Sequence, residues 1–205
     1  MSDPKRKRRW SGGIGALVAA GILSTLFLIG SERTFIDEGG YANDALDRGG
    51  ETMWGVTEAV ARRQGYQGAM ASLPRDSAVV WAQRLYWETI WGDSLAVLDI
   101  DLAARVFDAG YNQGRSAAVR HLQRCVNGYN QQGRQWPDVA VDGVMGPGTL
   151  RAVRAVFAQR RDAGALLETC VSTLQGARYI AIWERDPTQE RFAVGWMRRL
   201  IPGEE

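Results

Sequence analysis

A short stretch near the amino terminus concentrates carboxylates, glycines and hydroxyl groups. It begins at Glu38 and reads EGGYANDALDRGGETMWGVT. Glu38 stands where a short helix over 31–38 is expected to end, because Gly39 and Gly40 follow and glycine commonly ends helices. The negative end of the helix dipole and burial beside aromatic rings would both raise the pKa of Glu38. A carboxyl group with a raised pKa can donate a proton at neutral pH, so Glu38 is a candidate general acid.

A second carboxylate follows in a different local environment. Asp47 lies in a polar, glycine-rich turn and is expected to stay ionised, where it could orient a water molecule or stabilise positive charge on a sugar ring. The Thr52 hydroxyl could hold that water, and Glu51 and Thr57 are alternative residues for these two roles. Two carboxylates in different environments are typical of glycoside hydrolysis. Glutamates before helix ends and aspartates in turns are also common solvated residues, so these residue types alone leave both interpretations open.

These residues must be positioned by a mainly α-helical protein with a small β-hairpin element. Alternating residues over 41–57 indicate a hairpin or an irregular loop. A helix is predicted from Asp76, as N-cap, to about Trp91. Further elements are predicted over about 101–109, 115–127 (closed by Gly128), 139–141 (extended), 147–160 (with Pro147 in its first turn), 163–184 and 188–200.

The run from Glu38 to Thr57 resembles the signature of glycoside hydrolase family 108, whose members are peptidoglycan muramidases and include many phage endolysins. The resemblance continues through LYWETIW and DAGYNQG, while VDGVMGPGTL and FAVGWMRRL resemble the peptidoglycan-binding module that follows in this family. It implies a lysozyme-like catalytic domain over 31–114 and a helical peptidoglycan-binding region over 115–205, packed on the catalytic part. Bacterial peptidoglycan is therefore the expected partner.

The resemblance also assigns residues. Glu38 occupies the position of the family's catalytic glutamate, whereas Ala45 stands where proline is common. Phage lysozymes of a second type show the pattern Glu-x8-Asp-x5-Thr. The spacing from Glu38 to Asp47 matches that pattern, and the spacing from Asp47 to Thr52 is one residue short. We therefore take Glu38, Asp47 and Thr52 as the candidate catalytic residues.

Substrate-binding candidates surround this motif and recur later in the chain. Aromatic rings can stack on sugars or pack in the core, and amide side chains can bind an N-acetyl group or end a helix. The candidates are Tyr41, Asn43, Trp54, Tyr111 and Asn112, with Trp87, Trp91 and Gln113 also considered. The sequence contains neither a metal-ligand cluster nor a phosphate-binding glycine loop, so no metal or cofactor is expected.

The remaining His and Cys residues receive structural interpretations. His121, the only histidine, is predicted to be a structural residue on a helix. Cys125 and Cys170 could form a disulfide if the chain is exported, since disulfides persist in oxidising compartments. Both cysteines lie in predicted helices and could equally be small buried thiols.

Composition limits the class of protein. The chain has 205 residues, of which 45% are hydrophobic and 23% charged, which excludes a wholly disordered or multi-span membrane protein. Residues 1–9 hold five basic residues and one acidic residue of the 25 and 23 in the chain, leaving 20 basic and 22 acidic residues elsewhere. The remainder therefore lacks the basic character of a nucleic-acid-binding protein.

The amino terminus resembles a membrane-targeting segment. A basic block at residues 1–9 precedes 21 uncharged residues, Trp10 to Gly30, which as one helix would span roughly 30 Å. The positive-inside rule keeps the basic block cytoplasmic and places the catalytic domain in the periplasm. Only nine of the 21 residues are Leu, Ile, Val or Phe, so the span is expected to be held weakly. We predict an inner-membrane anchor that is released on activation to give a periplasmic monomer; a cleaved signal peptide and a permanent anchor are the alternatives.

Three functions fit the sequence. The first is an endolysin that hydrolyses the β-1,4 bond between N-acetylmuramic acid and N-acetylglucosamine for host lysis, with activity controlled by release of the anchor. The second is a lytic transglycosylase, which also needs one glutamate but forms 1,6-anhydro ends. The third is a membrane-tethered protein that binds peptidoglycan without catalysis.

Overall fold

The computed structural model describes residues 12–19, 21, 24–31, 40–43 and 50–201. Apart from Ser31, the predicted helix over 31–38 lies outside the described residues, as do the candidates Glu38 and Asp47. The chain divides into two compact units, Met1–Arg84 and Leu85–Glu205. These units are defined by how densely their residues contact one another, and they do not test the predicted domain boundary between residues 114 and 115.

The first unit contains a two-stranded hairpin, as the sequence predicted. Strand β1 (Thr52–Met53) pairs antiparallel with β2 (Val56–Thr57), and the two intervening residues, Trp54 and Gly55, both have positive φ (55° and 71°). Two central residues with positive φ give a turn whose twist matches that of the flanking strands. An isolated bridge between Ala42 and Thr52 adds a third extended segment.

Two helices that follow this hairpin in the first unit differ from expectation. Helix α3 (Glu58–Arg63) was not predicted; the Thr57 side chain caps it by accepting a hydrogen bond from the Val60 N–H at 3.4 Å. Helix α4 (Arg75–Ala82) begins after Pro74, so Asp76 lies in its first turn. The prediction that Asp76 is the N-cap is therefore wrong.

The apolar run over 10–30 is not one helix. Helices α1 (Gly12–Ala19) and α2 (Thr25–Gly30) are separate: Gly21 between them has a φ of 70°, and the Ser24 side chain caps α2. Within the described residues, none of the helices is both long and apolar enough to cross a membrane.

The prediction that one helix continues to about Trp91 is also wrong. After α4 the chain forms a π-helical segment (Gln83–Trp87) and a 3-10 turn (Glu88–Ile90), and Trp91 adopts a left-handed conformation with a φ of 54°. Helix α5 (Gly92–Ala96) starts immediately afterwards. A Cβ at Gly92 would overlap the Trp87 indole, so the reversal at Trp91 lets the backbone approach that buried ring.

The second unit is built from longer helices. They are α6 (Ile100–Gln113), α7 (Arg115–Tyr129), α8 (Pro147–Gln159), α9 (Ala163–Arg185) and α10 (Glu190–Arg198). The predictions for 147–160 and 163–184 are confirmed, whereas α6 and α7 extend beyond their predicted ends and α7 runs through Gly128. Residues 139–141 form no strand, and a 3-10 turn, Pro187–Gln189, precedes α10. Helices α6, α7 and α9 pack together around Leu102, Val106, Leu122, Val126, Leu167 and Val171.

Cys125 and Cys170 form a disulfide that joins α7 to α9 across 45 residues of sequence. Both cysteines lie within the helices that build the core of the second unit, so the bond reinforces existing packing. The alternative of two buried thiols is thereby excluded.

Candidate functional site

The described part of the motif is held together by backbone hydrogen bonds. The Ala42 N–H donates to the Thr52 carbonyl at 2.9 Å, and the Thr52 N–H donates to the Ala42 carbonyl at 2.8 Å. This pair brackets residues 44–49, which include the candidate Asp47. The bridge therefore ties the chain on either side of Asp47 to the hairpin.

The hairpin presents two faces of different character. Met53 and Val56 point to the core formed by Val56, Ala61, Met70, Leu73 and Ala78. Thr52 and Thr57 are paired directly across the strands, so they share the opposite face. Since the Thr57 hydroxyl caps α3, Thr52 is better suited than Thr57 to hold a water molecule.

Tyr41 and Asn43 lie on the surface beside this bridge. The Tyr41 side chain is 45% exposed, which leaves ring area for contact with a sugar. The Asn43 Nδ2 lies 3.5 Å from Glu51 Oε1, so the two side chains face each other on adjacent extended segments. Both predicted binding residues are therefore sterically accessible.

Trp54 is engaged by its own unit. Its indole N–H donates to the Leu73 carbonyl at 3.0 Å, and the Arg75 guanidinium lies 5.6 Å from the ring centroid. The ring also packs against the hydrophobic core of the first unit. These contacts are those of a packing residue, and its predicted part in substrate binding rests on the remaining exposed surface.

Tyr111 and Asn112 lie on α6 in the second unit. The Tyr111 ring contacts Tyr86 and Phe107, with centroids 5.1 and 5.6 Å apart. The Asn112 amide donates to the backbone carbonyl and the carboxylate of Asp108, at 2.9 and 3.0 Å. Both residues therefore contribute to packing within the second unit, and their predicted contact with substrate stays a prediction.

The predicted stacking residue Trp87 is 1% exposed, and its indole N–H donates to Asp93 at 2.8 Å. A ring so deeply buried packs in the core and does not contact a sugar. Among the described residues, no group of three His, Cys, Asp or Glu side chains could hold a metal ion.

An ionic network around the buried Arg105, which we did not predict from the sequence, lies between α6, α9 and the chain after α10. Arg105 is 6% exposed; its guanidinium donates to the Arg199 carbonyl at 2.9 Å and lies 3.8 Å from Asp108 and 3.7 Å from Glu168. Gln175 donates to Asp108 at 2.9 Å. The signal in the sequence was the presence of two charges, three residues apart, on the apolar face of a predicted helix.

His121 has the structural role that its position predicted. It is buried on α7, and its Nε2 lies 3.1 Å from the Gln113 Oε1. The Gln113 amide donates to the Gln175 carbonyl, so its oxygen faces His121, and Nε2 carries the imidazole proton. Burial, with the nearby Arg178 and Arg124, lowers the pKa of His121 to about 4, so the ring is neutral at physiological pH.

Two family models match successive parts of the chain. Residues 31–114 match the family described as glycosyl hydrolase 108, and residues 117–201 match a predicted peptidoglycan domain. A solved structure titled "Structure of Brucella abortus SagA" is 26% identical; the match covers 85% of this chain and 88% of that chain, with a TM-score of 0.63. A search of curated proteins gave no significant match.

Proposed function

We propose that this chain is an N-acetylmuramidase with Glu38 as general acid. It would cleave the β-1,4 bond between N-acetylmuramic acid and N-acetylglucosamine. The match of residues 31–114 to glycosyl hydrolase 108 and of residues 117–201 to a predicted peptidoglycan domain supports a glycoside hydrolase acting on peptidoglycan. The observation that carries the proposal is that the family match includes the whole motif from Glu38 to Thr57, whose described part is tied together by the Ala42–Thr52 bridge.

The proposed mechanism uses two carboxylates in succession. Glu38 donates its proton to the glycosidic oxygen as the bond to the sugar breaks. Asp47 stabilises the positive charge on the sugar ring or orients water, and the Thr52 hydroxyl holds that water. The water oxygen then bonds to the anomeric carbon, and the water gives a proton to a carboxylate of the site, which completes hydrolysis. Glu38 precedes the exposed Tyr41 by three residues, which span at most about 11 Å, so Tyr41 and Asn43 are close enough to contact the same substrate.

Product analysis tests this reaction. The full-length protein should release fragments of purified peptidoglycan that carry new reducing N-acetylmuramic acid ends, as detected by mass spectrometry. A lytic transglycosylase would instead yield 1,6-anhydro ends. A folded protein that binds the wall but releases no soluble fragments would contradict catalysis and leave the binding function alone.

We further propose that the enzyme acts as an endolysin in the periplasm. The basic block and the apolar run support export, and the Cys125–Cys170 disulfide supports residence in an oxidising compartment. The protein would first be exported and anchored in the inner membrane. After its release as a monomer, it would lyse the host.

We propose that the apolar run has two conformations, one embedded in the bilayer and one packed within the first unit. Release of the protein from the membrane converts the first into the second. In the described conformation Ile14 and Phe27 are 1% and 0% exposed, and the Ser24 N–H donates to Gln83 at 2.7 Å. Gly13 lies against Asp76 so closely that a Cβ would overlap the carboxylate. The run thus packs on the same unit that contains the catalytic motif, and embedding it in the bilayer would remove these contacts.

Two leucine substitutions distinguish the effect of blocking the packed conformation from the effect of making the apolar run more hydrophobic. Gly13→Leu should hold the protein at the membrane and suppress lysis, because the new side chain cannot fit beside Asp76. Ala16→Leu adds a comparable apolar side chain at an exposed position and should lyse cells much sooner. Equal lysis times and equal membrane retention for the two variants would refute the exchange.

A further inference from the structure

A groove lies in the second unit and is lined by residues between Gln123 and Ala152, whereas the proposed catalytic motif belongs to the first unit. Its cavity volume is about 540 Å³, within the range of small-ligand sites, and it lies between the loop after α7 and the start of α8. Its charged lining residues are Asp138, Asp142 and Arg151. We propose that this groove binds the peptide stem of peptidoglycan, an inference that rests on the proposed action on peptidoglycan.

Buried amides hold the loop that forms one wall of the groove. Gln123, 1% exposed, donates to Asp142 at 2.8 Å and accepts from the Gly143 N–H at 2.9 Å. Asn127 binds both backbone groups of Val139, at 2.8 and 2.9 Å. Because these bonds come from one helix, α7, the irregular loop is fixed and the groove is formed before any ligand arrives.

The same amides orient two carboxylates at the rim. Asn130, also 1% exposed, donates to Asp138. Hydrogen bonds from the Val144 N–H and from Gln123 lower the pKa of Asp142, so this carboxylate keeps its charge in mildly acidic conditions. Two exposed carboxylates, each held by a buried amide, form a preorganised site for a ligand's ammonium group.

The lining favours a peptide over a glycan. Trp136 is only 8% exposed and its N–H donates to the Val126 carbonyl, so its ring face is not presented for sugar stacking. The carboxylates and Arg151 offer charges of both signs, which complement a peptide stem that carries both an ammonium group and a terminal carboxylate. Pro137 and Val144 supply apolar contacts for the peptide backbone and its methyl groups.

Glycines keep the floor of the groove open. A Cβ placed at Gly146 or Gly148 would meet no other atom within 4 Å. Gly148 lies in the first turn of α8, where a leucine is compatible with the helix. A side chain at this position would fill the groove without disturbing the hydrogen bonds from Gln123 and Asn130.

The test is titration of the full-length protein with a synthetic stem tetrapeptide containing a diamino acid, measured by calorimetry. Gly148→Leu should weaken binding at least about tenfold, as should Asp138→Asn, which removes charge yet keeps an acceptor for Asn130. Gly128→Leu is the matched control, since Gly128 is exposed on α7 with open space around it and lies outside the groove. Thermal melting establishes that each variant is folded.

Three outcomes would overturn the inference. The first is that the wild-type protein does not bind the peptide, and the second is that Gly148→Leu binds the peptide as tightly as wild type. The third is that the groove variants keep their affinity for the peptide but lose affinity for an N-acetylglucosamine tetrasaccharide. Hydrolysis of peptide-free glycan strands is measured in parallel and should be the same for wild type and Gly148→Leu. A wild-type protein that binds the peptide but cleaves no glycan would contradict the proposed catalysis and leave the groove assignment standing.

Discussion

Replacing Glu38 by glutamine is expected to lower the rate of peptidoglycan hydrolysis by about 10²–10⁴-fold, the usual contribution of a general acid. Glutamine keeps the shape of the side chain but has no acidic proton to donate to the leaving oxygen. The measurement is kcat/KM on purified peptidoglycan, from the release of reducing ends. The decrease in rate on the alkaline side of the wild-type pH profile, where Glu38 loses its proton, should disappear in the variant.

Two matched glutamate substitutions make this result specific. Glu58→Gln changes an exposed residue whose ion pair with Arg62, at 2.9 Å, is of the surface type that contributes little, so activity should be unchanged. Glu51→Gln changes the alternative carboxylate, which faces Asn43 beside the bridge. A loss of activity in Glu51→Gln together with a normal rate in Glu38→Gln would move the acid role to Glu51.

The sequence predicted those elements that are determined by local signals. The hairpin followed from alternation around Trp54-Gly55, and the start of α8 followed from Pro147 in its first turn. In both cases the decisive residues lie within a few positions of the element they define. Neighbours in the sequence therefore carried enough information.

Elements determined by distant contacts were missed. The chain reverses at Trp91 because Gly92 packs against the Trp87 ring, a contact that helical periodicity does not reveal. The apolar run was predicted as one span from its composition, yet it divides at Gly21 and Ser24 and buries Phe27. Hydrophobicity alone does not distinguish a run that enters lipid from one that packs on its own protein.

The functional residues also divide into those that a local motif predicts and those that depend on distant contacts. Glu38, Asp47 and Thr52 came from residue chemistry and a resemblance carried by a continuous motif. The groove could not be predicted in this way, because its carboxylates owe their orientation to Gln123 and Asn130 on another element. Amides on a helix give no sign in the sequence of the loop to which they will bind.

Replacing Arg105 by methionine is expected to lower the free energy of unfolding by about 3–5 kcal/mol, the usual cost of removing one partner from a buried ion pair. Methionine fills much of the same volume, but the partly buried carboxylates of Asp108 and Glu168 lose a cation and the Arg199 carbonyl loses its donor. Urea denaturation of the full-length protein, followed by circular dichroism, measures the change at constant m-value.

Arg134→Met is the matched control for this prediction, because Arg134 is exposed and donates to the exposed Gln132 side chain at 3.1 Å, so its replacement should cost about 0.5 kcal/mol or less. A loss for Arg105→Met no larger than that of the control would show that the network does not stabilise the fold. The expected loss has a second consequence, since the Arg105 guanidinium binds the backbone at Arg199, 94 residues along the chain. Chains truncated before Arg199 should be destabilised even though α9 remains intact, which would make the end of the chain part of the fold that supports the peptide groove.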